Sequence, residues 1–181
     1  MKRVVVRALV LCVVVITGYG VVVYGLSFRI VGYRPYQPPL DPQHLAAVRT
    51  RLQTAGGRVA TPATLRQFAV AETARSLTFA VKYNALSDPN KILDGQQAHC
   101  KMYSYVVAAT YNQLAKQRNW PAACRVAYGH VYLYGVNLHQ FIGGGFFKDH
   151  DCCVFAEEQG AYAADAVLYD YFWVDRIRLR E

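Results

Sequence analysis

The stretch GQQAHCKMYSYVVAATYNQLAKQ, residues 95–117, decides how the rest of the chain is read. From about Ala98 onward Met102, Tyr105, Val106, Ala109 and Leu114 recur at helical spacing, so one apolar stripe can face a core. Trp120 and Pro121 stop that helix. Beyond it CRVAYGHVYLYGV (124–136), FFKDHDCCVFA (146–156) and AYAADAVLYDYFWVDRIRL (161–179) are rich in Val, Tyr and Phe and broken by Gly, which predicts strands. Upstream, Asp41-Pro42 and Thr61-Pro62 each set a capping side chain before a proline at the first helical position. The first predicts a helix through Leu52 that ends at Gly56 and Gly57. The second predicts a helix to about Tyr83, with Leu65, Phe68, Val70, Leu77, Phe79 and Val81 on its apolar face, closing before the SDPN turn at 87–90. Helices followed by consecutive antiparallel strands make an α+β domain, with helices packed on an antiparallel sheet.

The chain has 181 residues, 54% hydrophobic and only 18% charged, with a net charge of +8. That composition excludes a disordered tail and fits one folded domain. The apolar excess is concentrated from Ala8 to Phe28, which carries no charge and as a helix spans about 30 Å, enough for one membrane crossing. A cleaved signal peptide is the rival reading, but no small-x-small cleavage site follows Val23. Lys2, Arg3 and Arg7 precede the segment, against Arg29 and Arg34 after it, so the expected topology is single-pass, N-in and C-out, with the domain extracytoplasmic. The organisation expected is a cytoplasmic tip and anchor at 1–28, a spacer at 29–42 with four prolines between Tyr33 and Pro42, and the domain at 43–181.

Arg176, Arg178 and Arg180 give the tail a basic edge, which an alternating strand with a solvated face explains without a nucleic-acid partner. Cys12 falls in the anchor; Cys100, Cys124, Cys152 and Cys153 remain, and no pair has CxxC spacing. A zinc site built from Cys pairs is therefore not expected. His130, His139 and His150 leave a mixed site open, but the reading takes no metal and no cofactor.

A thiol becomes a nucleophile when its pKa falls, and the first turn of a helix lowers it through unpaired backbone N–H groups and the helix dipole. Cys100 occupies such a turn. It needs a base and an orienting group, which a strand brought against the helix start can provide. In 150–156 (HDCCVFA), a turn at Glu157–Gly160 and a return through Asp165, the sequence reads as a hairpin that can set His150 and Asp165 on one face. His139, in NLHQFI, is the rival histidine, but the acids nearest after it, Asp149 and Asp151, are too close to lie across a hairpin. His130 is read as topping a strand and His99 as a solvated neighbour of the thiol.

With a Cys at a helix start, the step NWPAACRVAYG (119–129) into a strand, and HDCCVFAEEQGAYAADA (150–166), the chain resembles the transglutaminase-like, papain-related superfamily over about Asp94 to Ala166. The resemblance implies Cys100 as nucleophile, His150 as general base and then acid, and Asp165 as the orienting partner, at gaps of 50 and 15 residues. It implies attack of a thiolate on an amide carbonyl, a thioester, and release to water or an amine. By the same analogy Gln97 or Gln96, with the backbone N–H of Cys100, would hold the oxyanion. Cys152 stands where the family usually has an aromatic residue and Ala166 where it often has a Pro. In this fold the strands of Cys124 and Cys153 are neighbours, so a disulfide between them is expected in an oxidising compartment. In a reducing one, Cys124, Cys152 and Cys153 are small apolar strand residues. Strand alternation puts Cys152 on the face of His150 and Cys153 on the other.

Two functions follow. The first is a membrane-anchored cysteine peptidase, amidase or transglutaminase acting on a peptide or a peptide-like cell-wall component, with strand 128–134 and the run Gly143–Gly145 forming walls and a mobile edge of the cleft. The second is a non-catalytic binding or scaffold protein on the same fold.

Overall fold

The computed structural model describes residues 18–20, 23–55, 59–81, 86–141, 148–157 and 160–181. In chain order the elements are β1 (Leu26–Tyr33), α1 (Pro42–Thr54), α2 (Pro62–Ser76), β2 (Thr78–Phe79), α3 (Pro89–Gly95), β3 (Gln97–Ala98), α4 (Cys100–Gln117), β4 (Ala123–Leu133), β5 (Val136–Asn137), β6 (His150–Glu157), β7 (Gly160–Ala164), α5 (Ala166–Phe172) and β8 (Arg178–Arg180). The main sheet runs β7-β6-β4-β1-β8, with β5 added to the end of β4. All its pairings are antiparallel except β1 with β8. The α+β reading, with helices packed on a sheet, holds.

Helix α4 is the centre of the domain. Met102, Tyr103, Val106, Val107, Tyr111 and Leu114 are buried along it, and they pack with Leu65, Ala69 and Val70 of α2 and with Cys124, Val126, Cys153 and Phe155 of the sheet. The opposite sheet face carries a second core of Leu26, Phe28, Ala127, Val131, Cys152 and Val154, closed by Val174 and Ile177. Cys152 and Cys153 thus point to opposite faces, as the strand period requires.

Three helices begin alike. Asp41 accepts from His44 N–H at 2.8 Å, Thr61 and Thr64 form a reciprocal capping box, and Asp88 accepts from Asn90 N–H at 3.0 Å, each followed by Pro. The third of these starts α3, where the sequence reading placed only a turn, although Asp88-Pro89 carries the same signal as the other two. The second helix is shorter than expected: α2 stops at Ser76, and Leu77 turns extended. Thr78 and Phe79 then pair in parallel with Gln97 and Ala98, so tertiary pairing overrides the apolar helical pattern that suggested continuation. Residues 82–85 and Gly56–Gly57 lie outside the described residues.

Two larger corrections concern the ends. Leu26–Phe28, assigned to the anchor, and Arg29–Tyr33, assigned to the spacer, form β1 in the middle of the sheet, with Leu26, Ser27 and Phe28 buried. Here burial alternates with exposed Arg29, Val31 and Tyr33, the period-two pattern of a strand, at the tail of the longer apolar run. The uncharged stretch ahead of the sheet is therefore Ala8–Gly25, and the domain begins at Leu26. The proline-rich segment is no spacer: Arg34 N–H bonds to Val126 O at 2.8 Å, Gln37 and Leu40 are buried, and Gln113 of α4 holds Leu40 N–H at 2.8 Å. Among the described residues no helix is long and apolar enough to cross a membrane; residues 1–17, Val21 and Val22, and with them Cys12 and most of the expected anchor, lie outside these. At the other end, 166–172 is helical rather than extended, because Asp165 caps it.

Candidate functional site

Helix α4 differs from the other four helices in that its N-cap, His99, makes no side-chain bond to the helix start. Its first backbone N–H groups are left for a ligand on Cys100, the first helical residue. The short strand β3 immediately ahead fixes the angle at which the chain enters the helix. Cys100 is half-buried and a free thiol. Burial raises its pKa, but hydrogen bonds to His150 and His99, the charge of His150 and the backbone N–H of Asp151 bring it down to about 7.

His150 is the first residue of β6, opposite Gly129 of β4. Its Nε2 is bonded to Asp165 Oδ2, and its ring lies beside the thiol of Cys100. Burial lowers the imidazole pKa, and the carboxylate of Asp165 together with Cys100 carries it well above its usual value. Asp165, 1% exposed, follows β7 where that strand ends across from β6. Its Oδ1 accepts from Val167 N–H at 2.8 Å and Leu168 N–H at 3.4 Å, the first turn of α5. The 150–165 hairpin closes with Glu157 opposite Gly160, which has φ +122°. The structure thus brings Cys100, His150 and Asp165 together, with His150 bonded to Asp165 and beside the thiol.

Other residues fall differently from expectation. His99 is buried, not solvated, and touches the thiol, because as N-cap it turns inward between β3 and α4. Gln97 is exposed on β3, three residues ahead of Cys100, with Gln96 beside it in the left-handed region. Cys124 and Cys153 are adjacent but unjoined: they are diagonal neighbours across β4 and β6, and the Cys153 thiol donates to Ser104 O at 3.2 Å. Burial, and then the contact with Cys153, raises the Cys124 thiol well above its usual pKa, and burial beside Asp165 does the same for Cys152. Both stay protonated and inert. His139 sits on a helical turn, 138–140, with its ring 6.4 Å from that of His150 and 5.6 Å from that of His130, but the bond to Asp165 belongs to His150. Among the described residues no group of three His, Cys, Asp or Glu could hold a metal ion. The run Gly143–Gly145 lies outside them.

Sequence reasoning also missed Asp151. Its carboxylate is buried and held by Arg34 through two bonds, Nε to Oδ1 at 2.6 Å and Nη2 to Oδ2 at 3.1 Å, while the guanidinium stacks on Tyr128 at 4.4 Å. Its carbonyl accepts from Ser104 Oγ of α4 at 3.2 Å. The residue next to the histidine is thus tied both to Arg34, just after β1, and to α4. The DCCVF pattern hides this, since an acid beside His150 reads as solvent-facing. Compared with family models, curated proteins and solved structures, the chain shows no match.

Proposed function

We propose that the protein is a thiol enzyme of transglutaminase-like type, tethered to a membrane by the uncharged segment Ala8–Gly25. The observation that carries this reading is that Asp165 holds His150 Nε2 and the imidazole lies beside the Cys100 thiol at a helix start with no side-chain cap. The Cys100 thiolate attacks an amide carbonyl carbon, and the backbone N–H groups at the start of α4 receive the oxyanion. The protonated His150 gives its proton to the departing amine as the C–N bond breaks, leaving an acyl thioester on Cys100. Neutral His150 then takes a proton from water or a second amine as that nucleophile attacks, and the thiolate leaves. Asp165 keeps the ring oriented through both steps. The substrate is a peptide or protein amide, a cell-wall peptide included, on the extracytoplasmic side of an N-in, C-out anchor; no nucleic acid, metal or cofactor takes part.

The test is acyl capture. Incubation with p-nitrophenyl acetate should add one acetyl group to Cys100 by intact mass and peptide mapping, and the adduct should be absent in Cys100→Ala. Faster discharge by a primary amine than by water assigns transfer, the reverse assigns hydrolysis. A protein that is never acylated at Cys100 is instead a binding domain on this fold, the reading that Cys152 favours by replacing the family's usual aromatic residue.

A further inference from the structure

The chain enters the sheet at Leu26 with no linker, and the residues just ahead of it, 18–20 and 23–25, are helical, with 18–20 exposed. Val23 packs on the second core, Tyr19 Oη donates to Phe172 O at 2.7 Å, and Arg178 Nη2 donates to Tyr24 O at 3.3 Å. Around this exit the surface is unusual. Tyr24, Phe172 and Trp173 are 76%, 57% and 77% exposed. Trp173 also holds a left-handed backbone, φ 52°, as the C-cap of α5, a place that packing would normally give to Gly. Beside them Tyr24, Tyr134, Arg178 and Arg180 line a groove of about 420 Å³, with Arg180 stacked on Tyr132 at 4.7 Å. Exposed Trp and Tyr alternating with Arg is the composition of a bilayer interface, where rings sit at headgroup depth and guanidinium groups meet phosphate.

We propose that the face formed by Tyr19, Tyr24, Phe172, Trp173, Arg178 and Arg180 rests on the lipid headgroups of the membrane that the N-terminal segment enters. This rests on the anchor reading above, and it adds that the domain lies flat on the bilayer rather than standing off it. Phe172 ends the helix that Asp165 begins, a separation of about 10 Å along α5. The thiol site therefore works close to the membrane plane, on substrates held at that surface.

The experiment reconstitutes the full chain into phosphatidylcholine vesicles whose acyl chains are brominated either near the carbonyl end or near the terminus, and reads tryptophan fluorescence. The chain has two tryptophans, so wild type, Trp173→Phe and Trp120→Phe separate their signals. The expected result is quenching by carbonyl-end bromine that is lost in Trp173→Phe and retained in Trp120→Phe. The wild-type comparison with Trp173→Phe decides the matter even if Trp120→Phe folds poorly. Alkaline carbonate extraction of the same vesicles reports the anchor separately. A chain retained in the membrane whose Trp173 is quenched by acrylamide and not by bromine overturns this surface and leaves the anchor standing. A chain stripped by carbonate yet quenched by bromine supports the surface and removes the anchor; stripped and unquenched, both fall. Trp173 shielded from acrylamide and bromine alike means that protein covers this face, and overturns the proposal.

Discussion

Asp165 holds His150 with one carboxylate oxygen and caps α5 with the other. One buried side chain therefore orients His150 and starts α5. The two duties separate by substitution. Asn is as good an N-cap as Asp, so Asp165→Asn should keep the start of α5 while removing the charge that holds His150, lowering acylation of Cys100 by about 10³–10⁴-fold through a misoriented imidazole. Asp165→Ala should lose rate to the same extent and, in denaturant titration, about 1 kcal/mol more stability than Asp165→Asn, the worth of the cap.

The pH dependence follows from the directions at Cys100 and His150. The thiol sits at about 7 and the imidazole well above its usual value, so between the two the pair is a thiolate and an imidazolium. Acylation should rise as pH increases through about 7 and fall again at higher pH as His150 loses its proton. For stability the signs are opposite. The depressed thiol stabilises the fold above its unfolded value and that contribution is lost as pH falls through about 7. The raised imidazole stabilises below its unfolded value and is lost as pH rises through its folded one. Urea midpoints measured across pH in wild type, Cys100→Ser and His150→Gln check both.

Removing Arg34 leaves the buried Asp151 carboxylate without its fork. Breaking a buried pair costs about 3–5 kcal/mol, and the partial exposure of Arg34 brings the expectation for Arg34→Gln to about 2 kcal/mol. Arg34→Lys should recover little, because an ammonium cannot make both bonds or stack on Tyr128. Chemical denaturation of the three proteins measures this.

His139 lies beside the base without the bond to Asp165. His139→Ala should change acylation by less than about tenfold, against about 10²–10⁴-fold for His150→Ala. Equal losses in parallel acylation assays would move the base to His139.

The helical stripe around α4, the hairpin spanning His150 and Asp165, and the order of Cys, His and acid were legible because each depends on local period and turn chemistry. The rest depends on long-range partners. Leu26–Phe28 reads as the end of an apolar run until β4 and β8 are seen on either side of it. Thr78–Phe79 reads as helix until β3 supplies a strand. Asp151 reads as a surface acid until Arg34, 117 residues away, closes on it. His99 is buried only because β3 and α4 meet there. The helices α3 and α5 could have been read from the sequence: Asp88-Pro89 repeats the signal of the first two helices, and Asp165 before Ala166, Val167 and Leu168 is a capping signal, masked by the aromatic β-prone residues that follow.

The most direct measurement is the pH dependence of iodoacetamide labelling at each cysteine of the folded full chain, beside His150→Ala. Cys100 should label fastest, with an apparent pKa near 7, and in His150→Ala that pKa should move up toward the usual thiol range, while Cys124, Cys152 and Cys153 stay unlabelled until the protein unfolds. Slow labelling of Cys100 that does not respond to the loss of His150 would contradict an activated thiol and leave a binding domain.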